Sequence, residues 1–229
     1  MTVFKKYGAL LFALLLLCHC LFIYLGMNDL RLLTKFLLLP FLIIYLFALS
    51  PVKPHSLVVC GLLFSFAGDI LLTGSGEIFF LLGMLAFIGT HICNSILFLK
   101  LQNLNGENGI VSAAIIILGL LSGFIFKILQ PYLGSFQWPI LFYMCIISIM
   151  AILATRITNN PSARAIAIRC FIPGAVLFIL SDATLAVNKF LWHEPLVDMV
   201  VMLTYGAAQY CLVRGFAKIS QLKIELKVQ

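Results

Sequence analysis

Long apolar runs separated by short polar breaks set the pattern of this chain. Runs of about 17–24 apolar residues, the length that crosses a hydrocarbon core, fall near 7–26, 32–50, 57–73, 78–99, 110–127, 138–155, 168–188 and 196–214. The breaks between them hold Pro51 and Pro54, Gly74 and Gly76, Asn105 to Gly109, Asn159 to Pro161, and Pro195, residues that interrupt regular structure. The runs are too long for barrel strands and too apolar for surface helices. The pattern predicts an all-α fold: a polytopic membrane bundle of about eight transmembrane helices, with residues 1–229 as one integral membrane domain. The first run follows Lys5 and Lys6, as a signal peptide would, but no small-residue cleavage site closes it. It reads as a retained helix.

Composition removes the soluble alternative. Hydrophobic residues make up 63% of the chain and charged ones 10%, and the mean hydropathy is +1.14. A water-facing globule of this size would lack the polar residues to cover its surface. In a bilayer every backbone group must be satisfied within its own segment, which helices achieve.

Charge then orients the bundle. With an even number of spans, one side holds Lys5, Lys6, Lys53, Lys100, Arg156, Arg164, Arg169, Arg214, Lys218, Lys223 and Lys227; the other holds Arg31, Lys35, Lys127 and Lys189. Cytoplasmic loops carry the excess of such residues, so both termini are expected in the cytoplasm, at the cell (inner) membrane if the source is bacterial. The net charge of +7 is thereby a topology signal, helped by attraction to anionic headgroups, and nucleic acid is not an expected partner.

The seven cysteines lie in or near apolar runs without C-x-x-C spacing, and read as small buried hydrophobes. His19, His55 and His193 show no partner spacing, so neither a metal site nor a cofactor is expected.

Charged groups inside a membrane span are costly and usually mark a site or pathway. Asp69 and Asp182 are each the only acid in a long apolar run. Each lies about fourteen residues from the same side of the membrane, roughly 21 Å by helix rise, so the two carboxyls are expected at one depth and able to share a cavity. The segments GLLFSFAGDILL (61–72) and GAVLFILSDATL (174–185) align without a gap, 113 residues apart. Gly61, Ser65, Gly68, Asp69 and Leu72 occupy one helix face, and Gly174, Phe178, Ser181, Asp182 and Leu185 repeat the offsets. A duplicated four-helix unit with a pseudo-twofold along the membrane normal would bring the two acids near its axis. The same small residues also suit plain helix packing, and an intramembrane Asp can simply pair with Lys35 or Lys189.

These segments, with FLLGMLAFIGTH (80–91) and the longer GAVLFILSDATLAVNKF (174–190), resemble the YhhN-like lysoplasmalogenase family. The likeness extends to Lys35 and Pro40, to Tyr143, Ser148 and Met150, and to Thr204, Tyr205 and Gln209. The chain departs from the pattern at Asn94 and Gly206, where an aromatic is expected in each neighbourhood.

The resemblance implies an ether hydrolase that cleaves the vinyl-ether bond of a lysoplasmalogen, a lysophospholipid, to a fatty aldehyde and glycerophosphoethanolamine or glycerophosphocholine, with no cofactor. Such a bond breaks by protonation of its β-carbon, addition of water to the oxocarbenium ion, and collapse of the hemiacetal. Two carboxyls in contrasting environments suit that sequence, as they do in glycosidases, and Asp69 and Asp182 take these parts. Lys35 and Lys189 lie near headgroup depth, Asn188 on the Asp182 face near glycerol hydroxyls, and Tyr143 and Tyr205 within reach of the acids. His91, by counting about 10 Å nearer the cytoplasm, is a proton relay or a buried structural histidine. Other readings stay open. A proton-coupled transporter or a lipid-binding membrane protein would use the same acid pair, and so would an intramembrane aspartyl hydrolase acting on amides or esters.

Overall fold

Apolar segments in a solvent without hydrogen-bonding capacity must close their backbone bonds internally. The computed structural model describes residues 2–102 and 109–228, with side chains over 4–102 and 109–222, and among them there is no strand. The break expected at Asn105 to Gly109 lies, apart from Gly109, outside the described residues, as do the side chains of Lys223 and Lys227.

Helices α1 (Thr2–Tyr24), α2 (Asn28–Leu49), α3 (Ser56–Leu71) and α4 (Glu77–Leu101) make up the first half. In the second, α5 (Gly109–Leu133) turns through Gly134–Phe136 into α6 (Gln137–Arg156). A rod over Arg164–Trp192 follows, built from α7 (Arg164–Ile166), a π-turn (Ala167–Phe171), α8 (Ile172–Val187) and a second π-turn (Asn188–Trp192). The last helix is α9 (Val197–Val228). Pro173 cannot donate to the carbonyl one turn back and its ring crowds that turn; the π-turn immediately before it widens the coil where the bond is lost. The second π-turn closes through the His193 amide on the Asn188 carbonyl at 2.8 Å, and His193 then reverses the chain at φ 60°.

Helix ends run furthest past the expected spans at two places. The fifth run, expected to stop at 127, continues to Leu133 with Pro131 in its final turns. The last, expected to stop at 214, continues to Val228. Hydropathy marks where a membrane ends rather than where a helix does, and residues 216–228 contain no Gly or Pro to end it.

The chain is an integral membrane protein. Helical stretches over Phe4–Tyr24, Asn28–Leu49, Glu77–Leu101, Gly109–Asn159 and Arg164–Trp192 are long and apolar enough to cross a bilayer, and the fourth of these contains both α5 and α6. At 16 residues α3 is shorter, and α9 is interrupted by Asp198, Gln209 and Arg214. These two helices carry much of the buried polar chemistry described below.

Neighbour relations repeat between the halves. Helix α1 packs on α2, α2 on α3, and α3 on α4; likewise α5 packs on α6, α6 on α8, and α8 on α9. Across the halves, α2 meets α9 as α6 meets α4. Small residues set the close approaches: a Cβ on Gly68 would stand 2.7 Å from the Phe87 ring, and one on Gly174 3.3 Å from the Ala208 carbonyl. One relation is broken. Helix α1 packs on α9, but α5 makes no comparable packing on α4 among the described residues.

Candidate active site

Each intramembrane carboxylate receives a tyrosine hydroxyl. Tyr143 of α6 donates to Asp182 Oδ2 of α8 at 2.5 Å, and Tyr205 of α9 donates to Asp69 Oδ2 of α3 at 2.9 Å. The flanking helices correspond. Asp69 lies between α9 and α2, whose Lys35 is within electrostatic reach of it. Asp182 lies between α6 and α4, whose His91 Nε2 is 3.6 Å from Asp182 Oδ2 and 3.0 Å from the Tyr143 hydroxyl. The structure thus brings Asp182, Tyr143 and His91 into one cluster and Asp69, Tyr205 and Lys35 into another.

His91 departs from its expected depth. The rod bearing Asp182 runs on to Trp192, so Asp182 lies ten residues from its end and His91 fourteen from the start of α4. The remaining offset is about 6 Å by helix rise, which two side chains span. His91 is fully buried and stacks edge-on against Phe178 with ring centroids 4.7 Å apart.

Behind Asp69 runs a hydrogen-bonded chain that joins Ser65, on the same helix face, to Gln209 and to Thr90, a residue the sequence did not single out. Gln209 donates to Ser65 at 2.8 Å, Ser65 and Thr90 hydroxyls lie 2.9 Å apart, and Thr90 donates to the Gly61 carbonyl at 3.0 Å. All three side chains are buried. The available signal was Gln209 one helical turn beyond Tyr205, on the same face.

Between α4 and α5, which do not pack closely among the described residues, lies an apolar slot of about 280 Å³. Its walls come from α4 (Phe80, Met84, Phe87), α5 (Leu118 to Leu129), α6 (Ile140 to Ser148) and α8 (Val176 to Ala186). Asp182 and Tyr143 line it, together with Ser122 and Ser148; Asp69 does not. The expectation that both acids border one cavity is corrected accordingly. On the Asp69 side the counterpart of α5 is packed shut, and a Cβ on Gly206 would stand 2.6 Å from Leu16 of α1. An aromatic at Gly206 itself would have to displace the Leu16 side chain.

Asn188 is not at the slot. Its amide donates to the Glu194 carbonyl at 3.0 Å and to Asp198 at 3.1 Å, and its oxygen accepts from the Glu194 amide at 2.9 Å. The loop between α8 and α9 uses this side chain, so the expected role toward glycerol hydroxyls is corrected. Lys189 is exposed and holds its ammonium 5.6 Å from the centre of the Phe80 ring, a wall of the slot. Among the described residues no group of three or more His, Cys, Asp or Glu is placed to hold a metal ion.

The YhhN family model matches residues 30–216. The chain belongs to the YhhN family. The matched region contains Lys35, Asp69, His91, Tyr143, Asp182, Asn188, Lys189 and Tyr205, while α1 lies outside it. Among curated proteins, lysoplasmalogenase TMEM86A of Homo sapiens is 32% identical over 162 residues, 66% of this chain and 61% of that protein. The Bos taurus protein of the same name is 31% identical over 163 residues, with the same shares. The match therefore spans 61% of the length of these relatives. No solved structure matches the chain.

Proposed function

We propose that this family member hydrolyses the vinyl-ether bond of a lysoplasmalogen within the membrane. The reading is supported by family membership, by the names of the relatives, and above all by one feature: a single carboxyl, with its tyrosine and histidine, set in the wall of an apolar slot.

The position of that carboxyl suits the substrate. The slot borders α8 from Val176 to Ala186, so Asp182 lies four residues from the end nearer the headgroup region and six from the other. By helix rise about 9 Å of apolar wall continues beyond it. A lysolipid with its tail in the slot and its phosphate near Lys189 presents the bond between glycerol and chain at Asp182. Exposed apolar side chains on α5, such as Ile116 and Phe124, face the lipid from which such a substrate comes.

In the proposed reaction Asp182 gives a proton to the β-carbon of R–CH=CH–O–R′, and its carboxylate then stands beside the oxocarbenium ion. Water adds at the carbon bearing oxygen, losing its proton to Asp182, and the hemiacetal falls to R–CH2–CHO and HO–R′. One water is consumed and no oxidant is required. Tyr143 holds Asp182, and His91 holds Tyr143, so proton position is governed by a three-residue chain. Asp69, held by Tyr205 and balanced by Lys35, acts as the second carboxyl from behind the slot. Eight crossings with cytoplasmic termini belong to this proposal, on the lysine and arginine bias.

Aldehyde release by the purified protein tests it. A 1-alkenyl lysolipid should yield fatty aldehyde, while its saturated 1-alkyl counterpart, which cannot form the cation by protonation, should yield none. Equal treatment of both substrates sinks the mechanism, and release from neither sinks the activity.

A further inference from the structure

Lipid and water cannot conveniently use one entrance. The slot beside Asp182 is walled almost wholly by apolar side chains, and a bound tail fills it, yet each turnover consumes a water. A second set of polar side chains leads to the acids from α1, α2 and α9, none of which borders the slot.

It begins at the end of the bundle away from the termini, where Arg31 and Asp198 form a 2.7 Å ion pair with side chains 32% and 27% exposed. One turn inward on α2, Thr34 is 7% exposed and donates to the Leu30 carbonyl at 2.8 Å. Its oxygen therefore receives the proton of His19 Nδ1, 2.9 Å away. His19 is fully buried, and its Nε2 has no hydrogen-bond partner among the described residues. Next along α2 stands Lys35, within electrostatic reach of Arg31, Asp198 and Asp69. Asp69 is bound to Tyr205, whose ring packs against Phe178 at 5.5 Å between centroids, the same ring that His91 meets at 4.7 Å. His91 Nδ1 is likewise buried without a partner among the described residues. A buried imidazole nitrogen left unpaired is costly, and ordered water is the usual partner where protein offers none. Both atoms belong to histidines whose other ring nitrogen is hydrogen-bonded beside the acids or on the polar set that leads to them.

We propose that this column is a water file carrying water and protons from the end of the bundle away from the termini to the carboxyl pair, on a route separate from that of the lipid. Its use in catalysis rests on the hydrolase reading; its existence does not. His19 and Thr34 are positioning residues here, orienting water rather than touching substrate.

The test is thiol accessibility in proteoliposomes. Thr34→Cys is treated with a small, charged methanethiosulfonate reagent and its labelling is read peptide by peptide. Buried Cys93 and Cys170 serve as internal controls off the column. The new thiol should label in the folded protein while the two controls stay unlabelled until denaturation. In the same preparation Thr34→Val should lower kcat about tenfold with KM nearly unchanged, and Thr34→Ser should restore it. A thiol at 34 that stays inert until denaturation overturns the file, and so does full kcat in Thr34→Val. Labelling without any wild-type aldehyde release would instead remove the hydrolase reading and leave the file standing.

Discussion

Tyr143 donates its hydroxyl to Asp182 at 2.5 Å while His91 Nε2 stands 3.0 Å behind that hydroxyl. The phenol links the histidine's buried ring to the carboxyl that faces the slot by hydrogen bonds on both sides, while His91 itself stands 3.6 Å from that carboxyl. Its removal should uncouple the two without emptying the site. Tyr143→Phe is expected to lower kcat about 10²-fold, the scale of a lost positioned proton-transfer partner, with KM within about twofold. Steady-state kinetics on aldehyde formation check this; an unchanged kcat would remove Tyr143 from the chemistry.

Helix α3 approaches α4 where Gly68 faces Phe87. A Cβ there would stand 2.7 Å from the ring, and Phe87 is itself packed edge-on against Phe178 and Tyr205. Gly68→Ala should cost about 1–3 kcal/mol through overpacking, visible as a lower Tm in detergent. Gly123→Ala, where nothing lies within 4 Å, should not lower it. Equal melting of the two variants would contradict the packing described.

The slot's inner end is marked by the Ser122 and Ser148 hydroxyls, 3.3 Å apart. Ser148→Phe should shorten it from below, leaving Asp182 and Tyr143 in place. Competition between long-chain and short-chain 1-alkenyl lysolipids is expected to shift about tenfold or more in kcat/KM toward the short chain. No shift would mean that the tail lies elsewhere.

Lys189 sits over Phe80 at the wall of the slot, exposed rather than buried. As a point charge for a phosphate, its loss should weaken binding and leave chemistry alone. Lys189→Ala is expected to raise KM about three- to tenfold at unchanged kcat, the pattern of lost uniform binding. A change confined to kcat would contradict a headgroup role.

Much of this was legible in the sequence, and the limits have physical causes. Apolar run length gave each long helix of the first half within a few residues, because a membrane leaves the backbone no other option. The likeness around Asp69 and Asp182 led to the expectation of a duplicated unit, and helix neighbours correspond between the two halves of the bundle. What failed was whatever depended on where one helix stands from another. The slot exists because α5 does not close on α4 as α1 closes on α9, and no residue of α5 announces that gap. Counting turns misplaced His91, since the rod carrying Asp182 extends past its apolar run through a π-turn. Asn188 shares a helix face with Asp182, but its hydrogen bonds go to Glu194 in the loop six residues on and to Asp198 at the start of α9. His19 showed no partner spacing because its partner, Thr34, comes from the neighbouring helix.

The central claim is that Asp182, in the wall of the slot, carries the hydrolysis. The measurement that addresses it most directly is aldehyde release from a 1-alkenyl lysolipid by purified wild type beside Asp182→Asn, with the fold of the variant checked by its Tm. The account predicts release by the wild type and a loss of about 10³-fold or more in a variant that melts normally. A folded Asp182→Asn protein releasing aldehyde at the wild-type rate, or a wild type releasing none, would contradict it.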